Sequence, residues 1–323
     1  MTKAILLVGG LGTRLRPLTE DLPKPMLPLA GLPVTEHQLM MAKKAGITEI
    51  VLATSYLSEV FLPYFGDGSD FGMKITYAVE KSPLGTGGAI RNAALALGSD
   101  FLASDEPLVI FNGDIISQHH LEKQIAFHIE RKADVTIHLT RVEDARAFGC
   151  VPTESDGRVT AFLEKMDNPV TNAINAGCYV FHPSVIAHIA PDAVVSVERE
   201  IFPQLVESGG RVFGYEEQAY WLDIGTPAAL LRGSRELVGK DFIALDHSTI
   251  DHSANLSKGT AIGRHCIIEK NVSISGSIIS DGALIGEGSV IENSFVARNT
   301  RVPSGSTFES FYISSTKSEP LSL

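Results

Sequence analysis

The stretch that decides the fold of the N-terminal part is LVGGLGTRLRPLTEDLPKP, residues 7–25. It begins inside the apolar run Ala4–Val8, and a short run of this kind is typical of a buried strand. The strand leads into Gly9, Gly10 and Gly12, which have no Cβ and therefore allow backbone N–H groups to turn inward around an anion. The sequence thus predicts a strand that ends in an anion-binding loop.

Cationic side chains follow the glycines on the same loop: Arg14, Arg16 and Lys24. The loop lacks the Lys-Ser or Lys-Thr pair of a P-loop, and Leu15 stands where a dinucleotide-binding motif would have its third glycine. Prolines at positions 17, 23, 25 and 28 disfavour a long helix after the glycines. We therefore expect an extended loop that wraps a polyphosphate. The alternative is a glycine-rich turn with solvated arginines.

The composition is that of an ordinary globular protein: 323 residues, 44% hydrophobic and 20% charged. The formal net charge of −11 argues against binding to nucleic acid, which depends on a basic surface. The cysteines are widely spaced and predict neither a disulfide framework nor a zinc site: Cys150, Cys178 and Cys266. The N-terminal apolar run is too short for a signal peptide, and no stretch approaches transmembrane length. We expect a cytoplasmic enzyme without membrane contact.

Apolar runs alternate with helix-like segments in the first part of the chain. The predicted strands are Ala4–Val8, Glu49–Ala53, Lys74–Val79, Leu108–Phe111 and Asp134–Leu139. The predicted helices are Pro33–Ala45, Ser58–Phe65, Thr86–Leu97 and His120–Lys132, with Thr86 as an N-cap and His119-His120 at the surface. The alternation predicts an α/β fold with a Rossmann-like, mostly parallel sheet flanked by helices. Ligands bind at the carboxyl ends of such strands, so the first loop and Asn112-Gly113-Asp114 should share one crevice.

The pattern then loosens, which suggests a lid or second lobe. The predicted elements are strands at Arg158–Leu163 and Ala176–Phe181 and helices at Pro183–Ile189 and Val197–Val206. A last helix should start at Thr226-Pro227, with the threonine as N-cap, and run to Val238. We place the catalytic domain at residues 1–240.

The sequence changes character after Lys240, because an aliphatic residue recurs at nearly every sixth position. These positions are Ile250, Leu256, Ile262, Ile268 and Ile274 and, after one five-residue step, Ile279, Ile285, Ile291 and Ala297. Such a repeat predicts a short left-handed parallel β-helix of about three coils over residues 241–323, with each aliphatic side chain pointing inward. The alternative is an irregular, strand-rich tail. The residues after Ser304 show no clear repeat and could form a cap, an exchanged segment or a disordered tail.

Several residues outside the first loop could take part in chemistry. Asp114 and Asp223 both follow apolar segments, and two carboxylates can bind Mg²⁺ together with substrate phosphates. Either aspartate could instead cap a turn. Glu164-Lys165 ends an apolar segment and could also be a solvated charge pair. Residues 85–88, Gly-Thr-Gly-Gly, open a helix where a base or phosphate could approach, or where the chain simply turns tightly.

Taken together, these segments resemble the sugar-1-phosphate nucleotidylyltransferases, also called NDP-sugar pyrophosphorylases. The matching stretches are Gly9–Lys24, Leu84–Ala89, Phe111–Ile115, Gly149, Phe162–Lys165, Asn175–Gly177 and Trp221–Gly225. Within the family the chain is most similar to members that use GTP and mannose-1-phosphate. It departs from many members after Glu164-Lys165, where Met166-Asp167-Asn168 intervenes before Pro169.

The resemblance implies that a sugar-1-phosphate oxygen attacks the α-phosphorus of a nucleoside triphosphate and that pyrophosphate leaves. It implies catalytic roles for Arg14, Lys24, Asp114, Lys165 and Asp223, with Asp114 and Asp223 as Mg²⁺ ligands. The implied nucleotide-binding residues are Leu7, Gly9, Gly10, Gly12, Thr13, Arg14, Lys24, Gly85, Thr86, Gly87, Gly88, Asn112 and Asp114. The implied sugar-phosphate-binding residues are Gly149, Glu164, Lys165, Asn175, Gly177 and Asp223.

Other functions stay open at this point. Within the same class, the substrates could be glucose-1-phosphate with UTP or dTTP. A regulatory protein could keep the fold and sense nucleotide sugars without turnover. Hexapeptide β-helices also build acyltransferases, for which His247, His252 and His265 are available as bases. We expect that the β-helix more readily mediates self-association, because its stacked coils leave flat faces and an open end.

Overall fold

The structure is a computed structural model that describes residues 2–10, 12–20, 22–54 and 58–323. Its contacts divide the chain into two compact units. The first unit comprises Met1–Gly10 and Gln38–Trp221, and the second comprises Leu11–His37 and Leu222–Leu323.

The first unit is built on a mixed sheet. Its parallel strands, in order across the sheet, are Lys74–Val79, Glu49–Thr54, Lys3–Leu7 and Leu108–Asn112. The antiparallel strand Ala173–Phe181 follows, and it pairs in turn with Val135–Arg141, beside which Val212–Glu216 runs parallel. Gly149–Cys150 and Leu163–Glu164 extend the sheet as a short antiparallel branch. The α/β class is therefore confirmed, with the parallel strands grouped in one half of the sheet.

The parallel strands form because their sequences are nearly continuous apolar runs, which suit a sheet covered on both faces. Ile5, Val51 and Ile110 are completely buried in the core of this unit. The helices of the chain are Val34–Lys44, Leu62–Phe65, Gly85–Leu95, Ser99–Leu102, Leu121–Glu130, Phe202–Glu207 and Pro227–Val238. Shorter helical turns lie at Thr13–Leu15, Lys24–Met26, Ser58–Val60, Ser69–Phe71, Pro183–His188 and Val197–Ile201. Further short strands are Ile115–Ser117 and Trp221–Asp223.

Three local predictions in the first unit are wrong. Arg158–Leu163 is not a strand: Arg158 and Val159 form isolated bridges, and pairing as a strand begins only at Leu163. Thr86 does not cap its helix, because the helix starts at Gly85 and the Thr86 hydroxyl donates to Glu198 instead. His119 is buried, with its ring stacked 3.7 Å from that of His138.

The second unit contains a hairpin, a helix and a β-helix. The hairpin pairs Pro28–Leu29 with Leu32–Pro33. The helix starts as predicted, since the Thr226 hydroxyl accepts the backbone N–H of Ala229 at 3.2 Å. Ser234 on this helix accepts the N–H of Ala30 in the hairpin, which joins the two segments of the unit.

The short strands that follow pair in three parallel rows, which are the faces of the predicted left-handed β-helix. One row is Phe242–Ala244, Thr260–Ile262, Ile278–Ile279, Phe295–Val296 and Phe311–Ile313. The second is Thr249–Ile250, Ile267–Ile268, Leu284–Ile285 and Arg301–Val302. The third is Asn255–Ser257, Ser273–Ser275, Val290–Glu292 and Thr307–Glu309. Aliphatic residues stack in register between coils, as in the ladder Ile250, Ile268, Ile285 and Val302.

The β-helix is longer than predicted, with four coils in the described residues 242–313 rather than about three. The inward residue after Ile291 is Val296, not Ala297, because the register runs from Ile279 to Val296 to Ile313. Each later coil therefore contains one five-residue step. Gly276, Asn293 and Ser310 occupy left-handed backbone at φ +58°, +45° and +60° at this recurring corner.

The residues after Ser304 complete the last coil and then fold back. Thr307–Glu309 and Phe311–Ile313 continue their rows, and Ser318–Pro320 pairs antiparallel with Phe311–Ile313. The tail is therefore an ordered cap on the β-helix, for which the sequence showed no repeat.

Candidate active site

The parallel strands of the first unit bring predicted nucleotide-binding residues to one edge. Leu7 and Asn112 end neighbouring strands and are register partners. The N–H of Gly113 donates to the carbonyl of Leu7 at 2.9 Å, and a Cβ on Gly113 would collide with that oxygen. Only glycine fits here, so the chain can turn tightly before Asp114, which is half-buried.

A residue that the sequence analysis missed braces this turn. Gln38 is 4% exposed, and its Nε2 donates to the carbonyls of Asn112 at 2.7 Å and Ile115 at 2.8 Å. The two bonds hold the backbone on either side of Asp114. Gln38 lies inside a helix with no motif around it, so the sequence offered no signal for this role.

The helix that begins at Gly85 packs closely against a neighbouring segment. A Cβ on Gly85 would lie 2.6 Å from the carbonyl oxygen of Val195, and one on Gly88 would lie 2.7 Å from that of Ala193. The N–H of Gly87 donates to the carbonyl of Val195 at 2.8 Å. This close packing explains on structural grounds why glycine is needed at these positions. Their nucleotide-binding role stays a prediction.

The predicted sugar-phosphate residues of the first unit lie on adjoining strands. Gly149 and Glu164 are register partners, and a Cβ on Gly149 would lie 2.7 Å from a carboxylate oxygen of Glu164. Lys165 follows in left-handed backbone at φ +49° and is exposed. The strand that carries Asn175 and Gly177 pairs with the same branch.

Asn175 and Gly177 form one local arrangement. The Asn175 Oδ1 accepts the N–H of Gly177 at 3.0 Å, and Gly177 has φ +75°. A Cβ on Gly177 would lie 2.8 Å from Ile115 Cγ1 and 3.2 Å from Asn112 Cβ. The site glycine therefore lies directly beside the strand end that carries Asn112.

In the second unit, the basic loop begins with a constrained glycine. Gly12 has φ +55°, and its carbonyl accepts the hydroxyl of Thr19 at 2.9 Å. A Cβ on Gly12 would lie 3.1 Å from Thr19 and 3.2 Å from Lys24. Thr13 and Arg14 follow on an exposed turn. In the first unit, Gly9 and Gly10 are exposed, and no described atom lies within 4 Å of the position a Cβ would take on Gly10.

Three of the predicted catalytic residues converge in the second unit. Lys24 Nζ lies 3.7 Å from Asp223 Oδ1, and the Lys24 side chain is only 11% exposed. The position of a Cβ on Gly225 would lie 3.6 Å from Arg14 Nη1 and 3.5 Å from the Asp223 carboxylate. Lys24 thus lies beside Asp223 and Arg14 lies beside Gly225, two positions further on, and such a set can bind a phosphate and a cation together.

The basic loop also contacts the C-terminal cap of the same unit. Lys317 Nζ lies 2.8 Å from a carboxylate oxygen of Glu20. A cavity of about 380 Å³ is lined by Leu18 and Leu22 of the loop and by Phe295 and Tyr312 of the β-helix, among others. The β-helix therefore supports the loop in addition to forming its own core.

The expected Mg²⁺ requires hard oxygen ligands. Among the described residues, no group of three or more His, Cys, Asp or Glu side chains could hold a metal ion. Mg²⁺ is usually bound through one or two carboxylates and substrate phosphates rather than by an all-protein cage. Asp114 in the first unit and Asp223 in the second each supply a hard oxygen ligand of that kind, so each residue fits the ion, and their joint role stays a prediction. In the part of the chain that the structure describes, no helix is long and apolar enough to cross a membrane.

Tight glycine turns at the ends of parallel strands, as in the first unit, and cations gathered with a carboxylate on a loop, as in the second, are each typical of phosphate-binding α/β proteins. The profile of the family described as Nucleotidyl transferase matches residues 3–239. The chain belongs to this family.

The relatives of the chain carry a common name. It is 46% identical over 290 residues to a Mycobacterium tuberculosis protein named mannose-1-phosphate guanylyltransferase, covering 85% of this chain and 79% of that one. It is 36% identical over 295 residues to mannose-1-phosphate guanylyltransferase 1 of Arabidopsis thaliana, covering 84% and 80%. The solved structure of HddC from Yersinia pseudotuberculosis complexed with GMP-PN aligns with a TM-score of 0.62 at 28% identity, covering 73% of this chain and 100% of that one.

Proposed function

We propose that this protein transfers GMP from GTP to mannose-1-phosphate and releases pyrophosphate. The observation that carries the proposal is the strand-end edge of the first unit. There, Glu164, Gly149, Asn175 and Gly177 lie on adjoining strands beside Asn112. The identity of base and sugar is supported by the names of the relatives, and the base also by the GMP-PN with which the similar solved structure is complexed.

The proposed reaction needs alignment and charge neutralisation more than proton transfer. The phosphate of mannose-1-phosphate is already a competent nucleophile, so no general base is required for attack on the α-phosphorus. In this proposal Arg14 binds the departing pyrophosphate, Lys24 binds phosphate oxygens near the reacting centre, and Lys165 neutralises the sugar phosphate. Preorganised cations of this kind lower the barrier because they meet the charge where it develops.

The remaining predicted residues take binding roles. Glu164 and Asn175 hydrogen-bond sugar hydroxyls, while Gly149 and Gly177 allow the backbone to approach the sugar. The glycine-rich loop, including Leu7, Gly9, Gly10, Gly12 and Thr13, cradles the triphosphate. Gly85, Thr86, Gly87 and Gly88 lie against the base. The catalytic domain is residues 1–240, and the β-helix domain is residues 241–323.

Mg²⁺ belongs to the proposal, with Asp114 and Asp223 as its protein ligands. When bound, it would neutralise charge on the substrate phosphates. Chelation by EDTA should abolish pyrophosphate release, and added Mg²⁺ should restore it. Asp114→Asn should lower turnover by a factor of about 100 or more, since a charged ligand is lost. An Asp114→Asn enzyme of normal activity and Mg²⁺ dependence would refute the metal role.

The experiment that tests the function is pyrophosphate release with each of four nucleoside triphosphates and with mannose-1-phosphate or glucose-1-phosphate. We expect GTP with mannose-1-phosphate to give the highest kcat/KM. Preference for UTP or dTTP with glucose-1-phosphate would select the alternative transferase. Binding of GDP-mannose without turnover of any pair would instead indicate a sensing protein.

Self-association through the β-helix is also proposed, as is a cytoplasmic location. The strand Phe242–Ala244 lies at the end of its sheet, with Phe242 45% and Ile243 39% exposed. Exposed apolar side chains on an end strand are typical of a contact surface, and we propose a second copy of this chain as the occupant. Sedimentation at micromolar concentration should show an oligomer that Phe242→Ser weakens. A monomeric wild-type protein would contradict this.

A further inference from the structure

Tyr179 occupies a position that no functional motif marks. It lies on the strand Ala173–Phe181 of the first unit and is completely buried. Its hydroxyl accepts the Nδ2 of Asn175 at 2.8 Å and that of Asn112 at 3.3 Å, and it donates to Glu198 Oε1 at 3.4 Å. A phenol hydroxyl can donate one hydrogen bond and accept two, so these three side chains use all of the hydrogen-bonding capacity of Tyr179.

The network continues from Glu198 to the start of a helix. The Glu198 Oε2 accepts the hydroxyls of Thr86 at 2.7 Å and Ser196 at 3.0 Å. The Thr86 hydroxyl also accepts the N–H of Val197 at 2.9 Å. One carboxylate therefore joins Tyr179 to the first turn of the helix Gly85–Leu95.

The direction in which the Tyr179 hydroxyl proton points determines the orientation of the Asn175 side-chain amide. A carboxylate such as Glu198 can only accept, so the Tyr179 proton points towards it. Burial raises the pKa of Tyr179 well above its usual value, and the Glu198 charge adds to this, so the proton stays in place. The hydroxyl oxygen can then only accept from Asn175, which turns the Nδ2 of the amide towards Tyr179 and its Oδ1 towards the N–H of Gly177.

An irregularity in the backbone of this strand brings Asn175 within hydrogen-bond distance of the Tyr179 hydroxyl. Residues four apart in a regular strand are separated by about 13 Å, which is long for a hydrogen bond between their side chains. Here the pairing register shifts between Asn175 and Tyr179, and Gly177 has φ +75°. Bulges of this kind re-aim side chains, and this one lets Asn175 meet the Tyr179 hydroxyl.

We propose that Tyr179 is a positioning residue of the sugar-phosphate site, which fixes the amide of Asn175 through its hydroxyl and ties it to Glu198. The inference rests on the proposed function, in which Asn175 binds a sugar hydroxyl. Tyr179 does not itself touch the substrate in this account. It decides which atoms of the Asn175 amide remain to face the sugar.

The first test is Tyr179→Phe, which keeps the ring and removes only the hydroxyl. The KM for mannose-1-phosphate should rise roughly tenfold, the size expected for one lost hydrogen bond, and it should rise more than the KM for GTP, because the bond to Asn112 that is also lost is the longer one at 3.3 Å. Tyr215→Phe is the matched control. It removes another tyrosine hydroxyl of the first unit that donates to a glutamate, Glu217 at 2.8 Å, and it should leave both KM values unchanged.

A double variant separates positioning from a general structural effect. If Tyr179 acts through Asn175, then Tyr179→Phe should change the KM for mannose-1-phosphate less than about twofold in an Asn175→Ala background. If the two substitutions instead raise the KM for mannose-1-phosphate independently, so that their fold-changes multiply in the double variant, the inference is overturned. A Tyr179→Phe enzyme with wild-type kinetics would overturn it as well. A wild-type enzyme that turns over no substrate pair would instead overturn the proposed function, so the two failures can be told apart.

A second variant covers the case in which Tyr179→Phe does not fold. Glu198→Gln keeps the shape of the side chain but can present an N–H to the Tyr179 hydroxyl. The Tyr179 proton is then released to point towards Asn175, where it faces the Nδ2 donor, so the hydrogen bond that holds the amide is lost. The KM for mannose-1-phosphate should rise in the same direction. An unchanged KM in a folded Glu198→Gln enzyme would contradict the proposal.

Discussion

Lys24 is the buried cation of the basic loop, and a carboxylate lies close to it. Its ammonium lies 3.7 Å from the Asp223 carboxylate in the same unit, and its side chain is 11% exposed. Opposite charge at this distance compensates part of the cost of burial. In the proposed reaction the same ammonium neutralises phosphate charge, so it matters to the reaction as well as to the fold.

Replacing Lys24 by methionine should therefore be costly. Lys24→Met keeps the length of the side chain and removes its charge, and we expect kcat to fall about 100- to 1000-fold, as when one preorganised electrostatic partner is lost. Steady-state pyrophosphate release measures this. The control is Lys74→Met, since Lys74 is 70% exposed and pairs only at the surface with Glu49. A Lys24→Met enzyme with more than about a third of wild-type kcat would contradict the role.

Gly177 offers a second test at the scale of one residue. Its φ of +75° disfavours any other residue, and an added Cβ would meet Ile115 at 2.8 Å. Gly177→Ala should lower the free energy of unfolding by about 2–4 kcal/mol and raise the KM for the sugar phosphate. Gly209→Ala is the matched control, with φ +78° but no described atom within 4 Å of the new Cβ. Urea unfolding should show a clearly smaller loss for it. Equal losses would mean that backbone strain, not the contact, is decisive.

At the scale of elements, two adjacent isoleucines test the hexapeptide interpretation. Ile268 is 1% exposed inside the β-helix, whereas Ile267 on the same short strand is 45% exposed. Ile268→Ala should lower the free energy of unfolding by about 2–5 kcal/mol, because it removes buried methyl groups and leaves a cavity. Ile267→Ala should change it by less than about 1 kcal/mol. Thermal or urea unfolding of both variants measures the difference, and similar losses would contradict the inward assignment of Ile268.

The elements that the sequence predicted well are those with a local cause. Lys74–Val79 was predicted residue for residue, because its apolar run is bounded by clear turn signals. The helix Pro227–Val238 was predicted from its cap, since Thr226 and Pro227 act within one turn. In contrast, Arg158–Leu163 is apolar and β-branched enough to read as a strand, yet only its last residue, Leu163, pairs as one. Its pairing depends on which strands are near, and local composition does not contain that information.

The candidate site shows the same limit. The sequence named Asn175 and Gly177 through the family resemblance, and the structure places them together. It missed Tyr179 and Glu198, and Glu198 accepts the hydroxyl of Thr86, which lies 112 positions away in the chain. It also assigned Thr86 to a local cap, the nearest partner available in sequence. Long-range hydrogen bonds of buried side chains leave no periodic trace in the chain.

At the scale of the whole molecule, a cluster of buried histidines makes stability depend on pH. The formal net charge of −11 does not show this, because it counts every histidine as neutral. Burial lowers the pKa of His119 and His128 to about 4 and that of His138 to about 3. The nearby charge of Glu217 opposes this for His119 and His138, and His119 further lowers the pKa of His138. All three are neutral in the folded protein at neutral pH, while in the unfolded chain they titrate near their ordinary pKa of about 6.5.

Because the unfolded chain binds more protons between about pH 6.5 and 4, the free energy of unfolding should fall as the pH is lowered through this range. Each buried histidine adds about 1.4 kcal/mol per pH unit to the slope. His138→Phe keeps an aromatic ring stacked on His119 and removes one titrating group, so its slope should be shallower by about that amount. Urea unfolding at a series of pH values measures the slope. His252→Gln is the control, since the His252 side chain is 95% exposed and should leave the slope unchanged. Parallel curves for wild type and His138→Phe would show that His138 does not contribute to the acid sensitivity of the fold.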